Sequence, residues 1–244
     1  MEQNQPHVTI FILIYNNAKE LPATIDSVMK QTYTDAEIIL SDDGSGTYDT
    51  KVLEEYADTL KKKFRQVRIN INEQNVGTVK HLNSVLKMAK GKYLISCSSG
   101  DSFAKDNTVE KIVRYFERKD VMILTTRRAD VGEKKRKYRP PRFVGMLLRF
   151  FPDKLLNYMI EKKNVISGCC TFYRKDLFEK YGFFDEQYFL VEDYPYYVML
   201  LQNKVRFGWS GMVSICHRMG GVSTGKVHPA IYRDIELMRE NLKR

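Results

Sequence analysis

The chain has 244 residues, 43% hydrophobic and 29% charged, enough for a substantial core and unlike a disordered segment. Its formal net charge of +10 and pI near 9.3 call for an anionic partner such as nucleic acid, acidic lipid or a phosphorylated small molecule. No apolar run is long enough to span a bilayer, and Met1–His7 carries no basic region ahead of the first apolar run, so neither a spanning helix nor an export signal is expected.

Cys97, Cys169, Cys170 and Cys216 form no Cys-x-x-Cys pair, and the adjacent two are poor disulfide partners. A reducing, cytoplasmic compartment is the expectation.

Val8–Ile14 is a continuous β-rich run that reads as a buried strand, broken by Tyr15-Asn16-Asn17. Leu21, Ile25, Val28 and Met29 then fall at helical spacing, with Pro22 in the first turn. Glu37–Ser41 is a second strand. Asp49 can cap a helix whose apolar face is Val52, Leu53, Tyr56, Ala57, Leu60 and Phe64. Val67–Ile71 is a third strand, nearer an edge. A helix carrying Val79, Leu82, Val85, Leu86 and Ala89 stops at Gly91. Tyr93–Cys97 is a fourth strand, Asp106 or Asn107 caps a helix with Val109, Ile112, Val113 and Phe116, and Val121–Thr125 is a fifth strand.

This alternation predicts an α/β domain with a mostly parallel sheet and helices on both faces, its strand C-termini lining one edge. Three polar connections meet there: Tyr15-Asn16-Asn17, Asp42-Asp43-Gly44-Ser45 and Ser98-Ser99-Gly100-Asp101. Ligands of open α/β sheets bind at that edge, so Asp42 and Asp43 are expected to face a ligand rather than the core. The competing reading makes them caps of a turn and its helix.

Beyond Arg127 the texture changes. Lys134–Lys137, Arg139 and Arg142 make a basic loop, followed by two short amphipathic helices over Phe143–Phe151 and Leu155–Ile160. These either pack onto the domain or lie on an anionic membrane surface. Val165–Tyr173 reads as a strand in which Ser167-Gly168 allows close backbone approach. Lys204–Trp209 and Met212–Ile215 read as two short strands, and Ile231–Lys243 as a terminal helix. The aromatic residues Tyr188, Phe189, Tyr194, Tyr196, Tyr197 and Trp209 floor an acceptor site or fill the core.

Val8–Asn17, Ile39–Ser45, Asn75-Val76-Gly77 through Leu94, and Glu192-Asp193, in this order, resemble the family 2 inverting glycosyltransferases of GT-A (Rossmann-like) fold. The resemblance runs from Val8 to about Thr224 and implies one domain. Residues 1–126 would form a nucleotide-sugar-binding half, and residues 127–244 an acceptor-binding, catalytic half. It places Tyr15, Asn16, Asp42 and Asp43 on the base, and Gly77 and Lys80 toward the phosphates. Ser99, Gly100 and Arg218 also fall in the nucleotide-sugar site. Asp101 and His217 would hold Mn²⁺ or Mg²⁺. Asp193 would be the catalytic base, with Glu192 positioning sugar or acceptor. Two departures stand out: Leu13-Ile14 replaces the family's usual Pro-Thr, and the Asp-x-Asp motif is reduced to Ser99-Gly100-Asp101.

The implied function is transfer of a sugar from a nucleoside diphosphate sugar, a UDP-sugar foremost, to a hydroxyl of a glycan or polyprenyl-diphosphate-linked acceptor. The setting would be bacterial surface-polysaccharide synthesis at the inner face of the membrane. A non-catalytic nucleotide-sugar or glycan-binding protein is the alternative, suggested by the reduced Asp-x-Asp. Nucleic acid is not an expected partner, since no RNP, zinc-finger or helix-turn-helix signature accompanies the charge.

Overall fold

The computed structural model describes residues 7–46, 51–132, 137–220 and 228–243. In chain order the elements are β1 (Val8–Ile14), α1 (Leu21–Met29), β2 (Ala36–Asp42), α2 (Lys51–Lys61), β3 (Gln66–Ile71), α3 (Thr78–Met88), β4 (Tyr93–Ser96), β5 (Ser102–Phe103) and α4 (Thr108–Arg118). There follow β6 (Ile123–Val131), β7 (Lys137–Arg139), α5 (Arg142–Phe150), α6 (Pro152–Glu161), β8 (Thr171–Arg174), α7 (Asp176–Tyr181), α8 (Asp193–Gln202), β9 (Phe207–Arg218) and α9 (Pro229–Asn241). Asp49, Lys134, Lys135 and Arg136, singled out from sequence, lie outside the described residues.

Among the described residues the strands form one sheet, ordered β3-β2-β1-β4-β8-β6-β9-β5, with β7 on β6. β1 to β4 run parallel, β8 is antiparallel to both β4 and β6, and β9 runs parallel to β6. The sheet is therefore mostly parallel but mixed, and the expected α/β architecture holds. β2 and β4 leave β1 on opposite sides, so the loops after β1 and β4 flank a topological switch point, where such sheets bind ligands.

Alternate side chains of β1 divide between two cores. Val8, Ile10, Ile12 and Ile14 pack with α1, α2 and α4, while Phe11 packs with α3 and the helices of the second half. Burial on both faces is why these strands read as unbroken apolar runs.

Several sequence expectations are corrected. α3 ends at Met88, with Ala89 already extended. Gly91 is instead a close-approach residue, since a Cβ there would lie 2.3 Å from the Thr9 nitrogen. Asn107 precedes α4 without a capping bond from its side chain, and Thr108 Oγ1 accepts from the Lys105 N–H instead. Val165–Tyr173 is not one strand: a 3-10 turn, Gly168–Cys170, precedes β8. The two short strands near the end are one strand, β9, which follows β6 through bulges between Thr125 and Arg128. Tyr188, Tyr194, Tyr196 and Tyr197 are core residues rather than a sugar floor.

The amphipathic pair α5 and α6 packs onto the domain, the first of its two readings. Val144, Leu148, Leu155 and Met159 are buried in the core, and Gly145 meets the Trp209 indole, which a Cβ would approach to 2.1 Å. Yet Phe143, Met146, Phe150 and Phe151 on the other side are exposed.

Candidate active site

The three polar connections do converge. Asn16 takes a positive φ of 52° and donates its N–H to Ser45 Oγ at 2.7 Å. Asn17 donates its amide to the Ser99 carbonyl at 2.9 Å, and Ser99 Oγ donates back to the Asn17 carbonyl. Gly100, at φ +95°, donates to Thr24 Oγ1. The loops after β1, β2 and β4 are thus bonded into one rim, with the Tyr15 ring exposed upon it.

Asp42 and Asp43 do not face outward as expected. They are 0% and 3% exposed. Asp42 accepts from the Ser45 N–H and hydroxyl. Asp43 accepts from Asn72 Nδ2 at 2.8 Å and from the N–H groups of Val76 and Gly77 at 3.1 and 3.2 Å. The chain's own donors at the ends of β2 and α3 draw these carboxylates inward. Gly77 precedes α3 with φ +87°, and a Cβ there would collide with the Phe189 ring at 2.4 Å. Its N–H points to Asp43, whereas Lys80 in the first turn is exposed.

A second cluster joins the loop after β4 to the end of β9. Asp101 is 4% exposed and accepts from the Arg218 N–H at 3.1 Å, with His217 Nδ1 2.9 and 3.1 Å from its two oxygens. Cys169 completes the group: the ligand atoms of Asp101, Cys169 and His217 all lie within 4.8 Å of one another. Burial lowers the affinity of His217 for its proton, but the hydrogen bond to Asp101 and the nearby Cys169 outweigh it, pushing its pKa up to about 9. Hydrogen bonding with Cys170, aided by His217 and Arg128, holds the Cys169 thiol well below its ordinary pKa against the opposing effect of burial. His217 Nε2 is buried with no hydrogen-bond partner among the described residues. A carboxylate, a low-pKa thiol and an orphaned imidazole nitrogen fit a divalent cation. The Arg218 guanidinium reaches Glu20 at 2.8 Å, beside Gly100.

Sequence reasoning placed Asp101 and His217 in this cluster and missed Cys169. Asp101 and His217 are 116 positions apart, and a cysteine beside another cysteine has no ligand spacing to reveal it.

The third group is Glu192-Asp193. Asp193 opens α8, and its Oδ2 accepts from the Gly168 N–H at 3.1 Å. A Cβ on Gly168 would lie 3.0 Å from that oxygen, so this glycine provides the close approach expected of it. Desolvation, with the Asp193 charge adding to it, pushes Glu192 up to about 8. Desolvation also raises Asp193, to about 6, opposed by the N–H groups of Gly168 and Tyr194. The pair titrates as a unit, with both carboxyls shifted toward the protonated form by desolvation and Glu192 also by the Asp193 charge.

The groups form a closed circuit of contacts. Asp43 meets Gly77, Gly77 meets Phe189, and the chain from Phe189 leads to Asp193. Asp193 meets Gly168, whose neighbour Cys169 faces Asp101 and His217. The rim bonds return from Ser99 through Asn17 and Asn16 to Ser45 and Asp42. Asp42, Asp43, Gly77, Asp101, His217 and Asp193 are thus linked through contacts, whereas Lys80 is exposed on α3.

Residues 9–182 match the model of Glycosyl transferase family 2. The uncharacterized glycosyltransferase EpsJ of Bacillus subtilis is 27% identical over 194 residues, covering 78% of this chain and 55% of that protein. An uncharacterized glycosyltransferase of Rickettsia typhi is 29% identical over 208 residues, covering 83% and 61%. The chain spans little more than half the length of these two relatives. Among solved structures, S. aureus TarS 1-349 in complex with UDP-GlcNAc superposes with a TM-score of 0.72 at 16% identity, over 95% of this chain and 65% of that one. A mannosyltransferase from Pyrobaculum calidifontis, in complex with GDP-Man and Mn²⁺, gives 0.63 at 17%, over 87% and 57%. The fold is that of the GT-A glycosyltransferases, and the chain belongs to glycosyl transferase family 2.

Proposed function

We propose that the chain is an inverting glycosyltransferase that moves a sugar from a nucleoside diphosphate sugar to a hydroxyl of a glycan acceptor. The observation that carries this reading is the Glu192-Asp193 pair at the start of α8, raised in proton affinity by burial and crowding and held a single residue away from the Asp101–Cys169–His217 cluster. Asp193 takes the proton of the acceptor hydroxyl as its oxygen bonds to the anomeric carbon. The bond from that carbon to the diphosphate oxygen breaks on the opposite face, and the nucleoside diphosphate leaves with its electrons. Protonated Glu192 donates a hydrogen bond to sugar or acceptor. Asp101, Cys169 and His217 would hold a divalent ion, which would neutralise charge on the diphosphate. The sulfur and nitrogen donors favour Mn²⁺ or a softer ion over Mg²⁺.

The rim of Tyr15, Asn16, Ser99 and Gly100 takes the nucleotide, and Asp42 and Asp43 shape its floor, with Lys80 and Arg218 toward the phosphates. A uridine diphosphate sugar is the donor of choice, in keeping with the UDP-GlcNAc held by the TarS structure. Residues 1–126 form the nucleotide-sugar-binding half and residues 127–244 the acceptor-binding, catalytic half, from which Cys169, His217 and Arg218 reach back to the donor's diphosphate. The exposed aromatic residues of α5 and α6, with Arg149 and Lys154 stacked 5.1 and 5.0 Å over the Phe150 and Phe151 rings, suit an anionic membrane surface. They support a lipid-linked acceptor at the cytoplasmic face and a role in polysaccharide synthesis.

The test is thermal stability against UDP-GlcNAc, UDP-glucose, UDP-galactose and GDP-mannose with Mn²⁺ or EDTA. A donor at 100 times its dissociation constant adds about 2.7 kcal/mol. A shift that EDTA removes supports the metal-assisted reading, and no shift with any donor overturns donor binding. The inward-turned Asp43, already accepting three hydrogen bonds, favours a second reading, a glycan-binding protein without turnover; nucleoside diphosphate release separates the two.

A further inference from the structure

Asp234 lies on α9, outside the circuit of site residues, and its carboxylate is completely buried. A single oxygen, Oδ2, accepts from three consecutive backbone N–H groups: Phe189 at 2.9 Å, Leu190 at 2.7 Å and Val191 at 3.1 Å. Its other oxygen is 3.5 Å from Arg233 Nη2. Successive N–H groups turned toward one anion form a nest, a backbone shape that neither strand nor helix provides. Glu192 and Asp193 follow directly.

The gathered loop also reaches the donor side. The Phe189 carbonyl accepts from the Val79 N–H at 3.3 Å, and its ring occupies the space where Gly77 lacks a side chain. One three-residue loop therefore rests on the start of α3 and leads into the start of α8.

We propose that Asp234 is a positioning residue: by gathering the 189–191 amides it fixes where α8 begins and so sets Asp193 against the acceptor hydroxyl. It touches neither sugar nor the Asp193 carboxylate, and acts through the loop. The inference rests on Asp193 being the base. α9 has other anchors, which separate this role from simple attachment of the helix. Met238 is buried in the core, Asn241 Nδ2 bonds to Gln187 and the Tyr188 hydroxyl, and Arg239 bonds to the Lys162 carbonyl.

The test compares Asp234→Asn with Met238→Ala, which loosens α9 without touching the loop. One readout is amide hydrogen exchange at Phe189, Leu190 and Val191. The other is nucleoside diphosphate release from the four sugar nucleotides named above, with water as acceptor. Misplacing a reacting group by about 1 Å costs roughly a hundredfold in rate. Asp234→Asn is therefore expected to raise exchange at the three amides and lower kcat about tenfold or more, with KM for the donor within about threefold. Met238→Ala should lower thermal stability while leaving those amides protected and kcat per folded molecule unchanged. Wild-type kcat in Asp234→Asn, or equal losses of kcat in both variants, overturns the proposal. Wild-type protein that shows neither nucleoside diphosphate release nor a thermal shift with any of the four donors overturns the transferase reading, and the positioning role with it. In that case faster exchange in Asp234→Asn still marks the clamp as structural.

Discussion

Two pairs of adjacent carboxylates lie in the same circuit, and the chain treats them in opposite ways. Asp42 and Asp43 are deeply buried but richly served by N–H, amide and hydroxyl donors. Glu192 and Asp193 are more accessible, yet they are desolvated and crowded together and have fewer donors, so their proton affinities rise. The donors around Asp42 and Asp43 tie those carboxylates to the loops after β2 and before α3. The sharpest way to break this contrast is Asp193→Asn, which should lower turnover about 10²–10⁴-fold, the usual contribution of a positioned base. Donor binding, followed by the thermal shift with UDP-GlcNAc, should survive. Near-normal turnover would remove Asp193 as the base and the contrast with it.

Asp43→Ala should fail differently. It leaves the Asn72 amide and the Val76 N–H without their acceptor, while the Gly77 N–H keeps Asn75 Oδ1 at 2.8 Å, at about 1–3 kcal/mol for each donor left unpaired. For a chain of this size that lowers the thermal midpoint by roughly 4–24 °C, at about 2–4 °C per kcal/mol. Donor binding should weaken along with it, because Gly77 opens α3. An unchanged midpoint in calorimetry would show that the carboxylate's bonds hold nothing.

The pH dependence sharpens the comparison further. Both acids of the second pair have folded-state pKa values above the ordinary carboxylate range. The folded protein therefore keeps protons that the unfolded chain releases. Their stabilising contribution is complete below about pH 4 and is lost as pH climbs through about 6 and then about 8. Glu192→Gln keeps a neutral side chain at every pH, so its stability relative to wild type should rise between those limits. Midpoints measured across the range check this, and a constant difference would refute the raised values. Turnover should climb through about pH 6 as Asp193 ionises.

What the sequence disclosed follows the same division between regular and irregular structure. β1, β2 and β4 announce themselves because burial on both faces demands unbroken apolar runs, and the polar loops after them mark the sheet edge. β5, β7 and α7 are too short for a period to register. The bulges that carry β9 past β6 depend on a partner some eighty positions away in the chain. Asp101 was legible because it lies in the polar loop after β4, and Asp193 through the resemblance of Glu192-Asp193 to the family motif. Cys169 and Asp234 were not: one is placed by a three-residue turn, the other by a helix docking on a loop, and neither contact has a sequence period.

The smallest expected effect concerns the outer face of α5. Its inner residues Val144 and Leu148 are core, so replacing the outer ones should spare the fold. Phe143 and Phe150 are 54% and 61% exposed, and surface substitutions away from special features usually stay within about 0.5 kcal/mol. If this face lies against acyl chains, each ring contributes at most about 1.5–3 kcal/mol of burial there. Part of each ring is already covered by protein, which argues for the lower end. Phe143→Ser with Phe150→Ser should then weaken sedimentation with phosphatidylserine-containing vesicles about tenfold or more at low salt, at an unchanged thermal midpoint. Arg149→Ser should remove the part of that binding which salt also removes, because charge attraction is screened and apolar burial is not. Equal binding of wild type and variants would leave the exposed rings without a membrane role, while the core packing of α5 would stand.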